Sequence, residues 1–139
     1  MADGKLRLIE SDRFDALIGL DVFEVTAEVA RGRIDVREEL CQPFGMVHGG
    51  VYAAIAESLA TRATIAGVWA DGSLGLGLSN NTSFLRPISG GSINAVARPL
   101  HRGRTTWIWD VDMTDDEGRR CALSRVTIAV RPRDARQSE

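Results

Sequence analysis

Residues 45–67 read GMVHGGVYAAIAESLATRATIAG. From Val51 to Gly67 the segment holds no proline and is rich in alanine, the residue with the best intrinsic helix propensity. The spacing predicts one long helix, with Gly67 placed to cap its C-terminus. Tyr52, Ile55, Leu59 and Ile65 are set among small alanines, so the helix is apolar on most of its circumference. A helix of that kind is expected to be buried rather than half-exposed.

On the N-terminal side, Gln42–Pro43–Phe44–Gly45 breaks the chain before the helix. Further back, Val22, Phe23, Val25, Ala27 and Val29 suggest a strand. Ala30–Arg31–Gly32–Arg33 is read as the turn that leads it back into Ile34–Asp35–Val36, with Gly32 supplying positive φ. Arg13 to Leu20 carries Phe14, Leu17, Ile18 and Leu20 at roughly helical spacing, after Ser11 and Asp12 as caps. On the C-terminal side the content turns to strands: 74–85, 92–100, 105–113 and 119–130. Asp115–Asp116–Glu117–Gly118 reads as the turn of a last hairpin. Trp107, Trp109, Val111 and Met113 alternate with Thr106, Ile108, Asp110 and Asp112, a period of two with one apolar face. One long helix and five or six mostly antiparallel strands make an α+β fold, with the sheet wrapped over the helix.

The 139 residues are 44% hydrophobic and 26% charged, the balance of a single globular domain with an adequate core. Only the ends, about 1–5 and 134–139, are expected to be loosely ordered. A net charge of -2 argues against nucleic acid as a partner. No apolar run approaches the ~20 residues that span a bilayer, and the N-terminus has no signal-peptide core, so no membrane association and a cytoplasmic setting are expected. Cys41 and Cys121 form no ligand pattern, and His48 and His101 stand far apart, so neither a metal nor a resident cofactor is expected.

The residues with chemistry gather around the helix start. Glu57 and Thr61 are four apart and share a helix face. A carboxylate on an apolar helix is costly unless it is paired, used, or set on one exposed stripe, where Arg62 would be its partner. His48–Gly49–Gly50 immediately precedes the helix. Backbone N–H groups of a first turn lack internal acceptors and carry the positive end of the dipole, and glycine lets a carbonyl or oxyanion approach them. Gln42 could donate to the same guest, or be a plain loop residue. Cys41 invites a Cys–His nucleophile, but nothing marks the thiol as activated. A basic set, Arg86, Arg102, Arg104, Arg131 and Arg133, reads as surface charge one residue at a time. Together it could clamp a phosphorylated carrier such as coenzyme A.

The segments GMVHGGVYAAIAESLAT, SNNTSFLRP, TTWIWDVDMTDDEGRRCALS and IAVRPR resemble the hotdog-fold acyl-CoA thioesterases. Within these they are most similar to the Arthrobacter-type 4-hydroxybenzoyl-CoA thioesterases and the PaaI-like group, over about Phe14 to Arg133. The resemblance implies a curved antiparallel sheet around a central helix, dimers with shared active sites, and tetramers of those dimers. It puts the reacting carboxylate at Glu57, as nucleophile or general base, and the oxyanion-binding N–H at Gly49 beside Gly50. It makes Gln42 an orienting residue, Thr61 a positioner of the carboxylate or its water, and His48 a shaper of the loop. Arg86 and Thr105 fall on carrier-contact positions. Asp134 stands where the family has a C-terminal arginine, a departure for which Arg133, Arg136 or Arg104 would have to compensate. The substrate implied is an aromatic acyl-CoA. Phenylacetyl-CoA, 1,4-dihydroxy-2-naphthoyl-CoA and medium-chain acyl-CoA are alternatives. Two other readings stand behind these: a hotdog hydratase or dehydratase using His48 and Glu57, and a protein that binds acyl-CoA without turnover.

Overall fold

The computed structural model describes residues 13–134, so the expected caps Ser11 and Asp12 and the compensating Arg136 lie outside the described residues. Helix α1 spans Arg13–Ile18. Its end is a Schellman arrangement: Leu20 N–H donates to Asp15 O at 2.9 Å, Gly19 N–H donates to Ala16 O at 3.2 Å, and Gly19 has φ 77.

Strands β1 (Asp21–Val25) and β2 (Ala30–Asp35) form the first hairpin. Its turn lies at Thr26–Val29, four residues earlier than the sequence suggests. Thr26 Oγ1 accepts from Glu28 N–H at 3.1 Å and Val29 N–H at 3.0 Å, a hydroxyl turn that needs no glycine. Gly32 instead lies inside β2, opposite Val22. A Cβ there would come within 3.2 Å of Leu59 Cδ2 and Leu20 Cδ1, so the glycine serves close packing on the central helix.

That helix, α2, spans Gly49–Val68 and continues into a 3-10 turn at Trp69–Asp71. It does not stop at Gly67. A Cβ on Gly67 would land on Trp107 Cη2, so this glycine admits an indole ring mid-packing. The stop comes at Gly72, with φ 76. Tyr52, Ile55, Leu59, Ala60, Ala63 and Val68 are buried against the sheet. The helix is not buried all round, however. Gly50 and Glu57 are exposed, and Ala53, Ala54, Ser58 and Thr61 are half-buried along the same stripe. Alanine reads as apolar whether it faces a core or a cleft, which is why composition alone overstates the burial.

Strands β3 (Ser73–Phe84), β4 (Ser92–Arg102), β5 (Thr106–Thr114) and β6 (Arg120–Pro132) complete a six-stranded, wholly antiparallel sheet in the order β1-β2-β4-β5-β6-β3. Helix α2 packs on every strand. The period of two in β5 resolves as expected, with Trp107, Trp109, Val111 and Met113 buried. Trp109 is fully enclosed and keeps its polar atom satisfied. Its Nε1–H donates to Thr64 Oγ1 at 2.9 Å, and that hydroxyl donates to Ala60 O at 2.8 Å.

The Asp115–Gly118 turn is a side-chain-built one. The Asp115 carboxylate accepts from Glu117 N–H and Arg119 N–H, both at 2.9 Å, and Gly118 has φ 77. Burial pushes the Asp115 carboxyl up, but the hydrogen bonds from Arg119 and Glu117 outweigh it and hold it below its ordinary range. A second polar device pins α1 to α2. Arg62 Nη2 donates to Asp15 Oδ2 at 2.6 Å and Ser58 Oγ donates to Asp15 Oδ1 at 2.6 Å, with both charged side chains buried. Arg62 is therefore the partner of Asp15, not of Glu57.

Candidate active site

Two clefts flank the start of α2. The first encloses about 540 Å³ and is lined by Gly50, Glu57, Thr61, Leu76 and Gly77, among others. The second encloses about 470 Å³ and is lined by Gln42, Gly49, Tyr52, Phe84 and Arg86, among others. The expected catalytic residues thus divide into two groups, Glu57 with Thr61 and Gln42 with Gly49. Glu57 follows Gly49 by eight residues, which on a helix is about 12 Å along the axis. Within one protomer the carboxylate does not stand over the Gly49 N–H.

The helix start itself is differentiated. His48 is its cap, and His48 Nδ1 accepts from Gly50 N–H at 2.9 Å. That bond fixes the imidazole in the tautomer that carries its proton on Nε2. It also uses up Gly50 N–H, whereas Gly49 N–H has no acceptor among the described residues. The Phe84 ring sits over the Gly49 α-carbon, where a Cβ would lie 2.9 Å from Cζ. Gly49 thus lines the second cleft beside an exposed aromatic ring. The Glu57 carboxylate likewise has no hydrogen bond or ion pair among the described residues. A carbonyl oxygen fits the first of these vacant groups, and a reacting carbon or its water fits the second.

Tyr52 lines the same cleft but is no base. Burial pushes its hydroxyl up to about 12, with smaller contributions from the neighbouring Cys121 and Cys41. Cys41 is half-buried, donates to Arg37 O at 3.5 Å and is not among the residues lining either cleft. Among the described residues no three of His, Cys, Asp and Glu come together as metal ligands.

The arginines do not form one clamp within a protomer. Arg86 N–H donates to Cys121 O, while Val130 N–H donates to Thr105 O. Nine residues of β6 separate those anchor points, about 30 Å of strand. Arg86 therefore stands at the Gly49 end, and Arg102, Arg104, Thr105, Arg131 and Arg133 at the opposite end. There Arg133 is tied into the fold: its guanidinium lies 3.6 Å from the Trp69 ring centroid and Nη2 donates to Trp69 O at 3.1 Å. Arg102 faces Glu28, and Arg131 donates to Thr105 O. Arg86 and Arg104 are exposed and make no such contact among the described residues.

A long helix cradled by one six-stranded antiparallel sheet defines the hotdog fold. The comparisons agree. Residues 44–122 match the Thioesterase superfamily. The chain is 44% identical over 117 residues to a candidate esterase of Mycobacterium tuberculosis, covering 83% of this chain and 84% of that one. The solved structure of that protein superposes with a TM-score of 0.86 over 88% of this chain and 99% of the other. The chain is also 38% identical over 113 residues to the proofreading thioesterase EntH of Cronobacter turicensis, 81% of this chain and 77% of that one. A thioesterase of Haemophilus influenzae, 29% identical, superposes with a TM-score of 0.84 over 91% and 88% of the two chains. The protein belongs to the thioesterase superfamily and is a thioester hydrolase. No helix among the described residues is long and apolar enough to cross a membrane.

Sequence reasoning did not single out four neighbours of the site. Asp15 and Ser58 carry no motif, because their pairing with Arg62 exists only once α1 docks. Gly75 and Gly77 did leave a signal, two glycines at strand spacing on one face of β3, which marks a close approach.

Proposed function

We propose that this protein hydrolyses an aromatic acyl-CoA of the 4-hydroxybenzoyl-CoA kind to the free acid and coenzyme A, in a site completed by two protomers. The observation that carries the reading is the division of the vacant groups: Gly49 N–H with Gln42 in one cleft, and Glu57 with Thr61 in the other. A thioester needs an oxyanion donor and an activated oxygen at one carbon. An assembly that sets Glu57 of one protomer opposite the partner's Gly49 supplies both. The long edge strand β3, with Leu76 and Leu78 exposed, is the surface by which two copies would join. In this reading the dimers pair again as tetramers.

In the reaction the thioester carbonyl oxygen accepts from Gly49 N–H, and Gln42 orients the group. Glu57 delivers the oxygen, by attacking the carbonyl carbon or by deprotonating a water held with Thr61. The C–S bond breaks, the sulfur leaves as the coenzyme A thiol, and water is consumed. The exposed Phe84 ring beside Gly49 favours a flat acyl group that can stack on it.

Thiol release from 4-hydroxybenzoyl-, phenylacetyl-, 1,4-dihydroxy-2-naphthoyl-, hexanoyl- and palmitoyl-CoA tests this directly. The highest kcat/KM is expected with 4-hydroxybenzoyl-CoA. A best rate with hexanoyl- or palmitoyl-CoA would overturn the aromatic assignment while keeping the hydrolase. Hydration of a crotonyl thioester without thiol release would turn the reading to a hydratase. Tight binding with neither reaction would turn it to a carrier-binding protein.

Arg86 is assigned to the carrier's phosphates. Arg86→Ala is expected to raise KM about tenfold, the loss of one charged hydrogen bond, and to change kcat far less. Steady-state kinetics on the preferred acyl-CoA decide it, and an unchanged KM removes Arg86 from the carrier site.

A further inference from the structure

Strand β3 opens Ser73–Leu74–Gly75–Leu76–Gly77–Leu78, and its two glycines face α2. A Cβ on Gly75 would lie 2.9 Å from Ile128 Cγ2 and 3.0 Å from Thr64 Cγ2. A Cβ on Gly77 would land on Glu57 Oε1 and lie 3.2 Å from its Cδ. Neither glycine has positive φ, so the backbone at both would accept an ordinary L-residue. At Gly77 the requirement is space, and the group that uses the space is the Glu57 carboxylate.

The strand cannot simply move aside. Directly after Gly77 its register shifts, from Gly77 opposite Ile128 to Ser79 opposite Thr127, which leaves Leu78 as a bulge. Beyond the bulge Asn80 Nδ2 donates to Ala53 O at 2.9 Å, one helical turn before Glu57. Thr82 Oγ1 donates to Asn80 Oδ1 at 2.7 Å and lies 2.7 Å from Ser124 Oγ. This polar chain ties β3 to α2 at a fixed height. With strand and helix both held, a side chain at position 77 displaces the one movable part, the Glu57 carboxylate.

We infer that Gly77 is a positioning residue for the thioesterase reaction: the side chain it lacks leaves the volume in which the Glu57 carboxylate stands. The inference rests on the reading of Glu57 as the reacting carboxylate. It predicts an effect on chemistry rather than on folding, since alanine is a better strand residue than glycine.

The test is a double-mutant cycle with Gly77→Ala, Glu57→Asp and both together, with Glu57→Ala as a control. Gly77→Ala is expected to keep the fold, with Tm within a few degrees of wild type, and to lower kcat by about tenfold to a hundredfold with little change in KM. In the Glu57→Asp background the carboxylate is one methylene shorter, so the same substitution should cost less than about twofold. Full kcat in Gly77→Ala overturns the inference. So does an equal loss in both backgrounds, or a Gly77→Ala chain that loses its fold, because each marks a sheet residue and not a positioner. Near-wild-type activity in Glu57→Ala would take down the reading beneath it. Loss in Glu57→Ala with full activity in Gly77→Ala would take down the inference alone.

Discussion

Glu57→Gln is expected to leave a folded protein that has lost about a thousandfold in kcat, or ~4 kcal/mol of transition-state stabilisation. Glutamine keeps the shape and the hydrogen-bonding capacity of the side chain and removes its ability to attack a carbonyl or take a proton. The fold should not register the change. Glu57 is exposed and its carboxylate makes no hydrogen bond or ion pair among the described residues, so nothing buried is left unpaired. Thermal unfolding should therefore place the variant within about 2 °C of wild type. Thiol release from the best acyl-CoA, run beside that melt, checks both halves. Near-wild-type turnover in a folded Glu57→Gln would remove the carboxylate from the mechanism. KM should move little, because the interaction lost belongs to the transition state.

The largest effect on stability is expected at Asp15. Its carboxylate is buried under α1 and receives Arg62 Nη2 and Ser58 Oγ, each at 2.6 Å, with side-chain exposures of 3% for Asp15 and 8% for Arg62. Asp15→Ala leaves a guanidinium inside the protein with no counter-charge. Breaking one side of such a pair costs about 3–5 kcal/mol. For a chain of this size that lowers Tm by roughly 10 °C or more. Removing both partners should cost less than removing one: Asp15→Ala with Arg62→Met is expected to melt above Asp15→Ala alone. Circular dichroism melts of the single and double variants measure this. If Asp15→Ala melts with wild type, the pair contributes nothing net. Because Phe14, Ser58 and Arg62 also line the Glu57 cleft, the Asp15 variants should lose activity at temperatures where they are still folded.

The helix, the strand-rich second half and the Asp115–Gly118 turn were legible because each rests on local rules: propensity, a period of two and turn chemistry. The first hairpin was misplaced by four residues, since Thr26 builds a turn from its hydroxyl and Gly32 looks like the better candidate to any rule that counts glycines. Gly67 looked like a cap and is a notch for Trp107. In both cases the glycine answers to a side chain far away in sequence, which no local pattern records. Of the candidate site, only the local groupings were legible. HGG at a helix start and Glu57 with Thr61 one turn apart are local constellations, and the structure splits the glycines between the two clefts, Gly49 with Gln42 and Gly50 with Glu57 and Thr61.

The element types, the apolar face of β5 and the identity of the chemical groups can all be read along the chain. Spacing along a chain fixes which side chains share a face of one element. Tertiary packing settles which faces meet. It gave Arg62 to Asp15, bound Arg133 to Trp69, set Arg86 and Thr105 at opposite ends of the sheet, and brought Gly77 against Glu57. Those outcomes depend on the order β1-β2-β4-β5-β6-β3, in which β3 crosses to pair with β6. That order is chosen by the burial of the whole core at once, and no stretch of the chain encodes it alone.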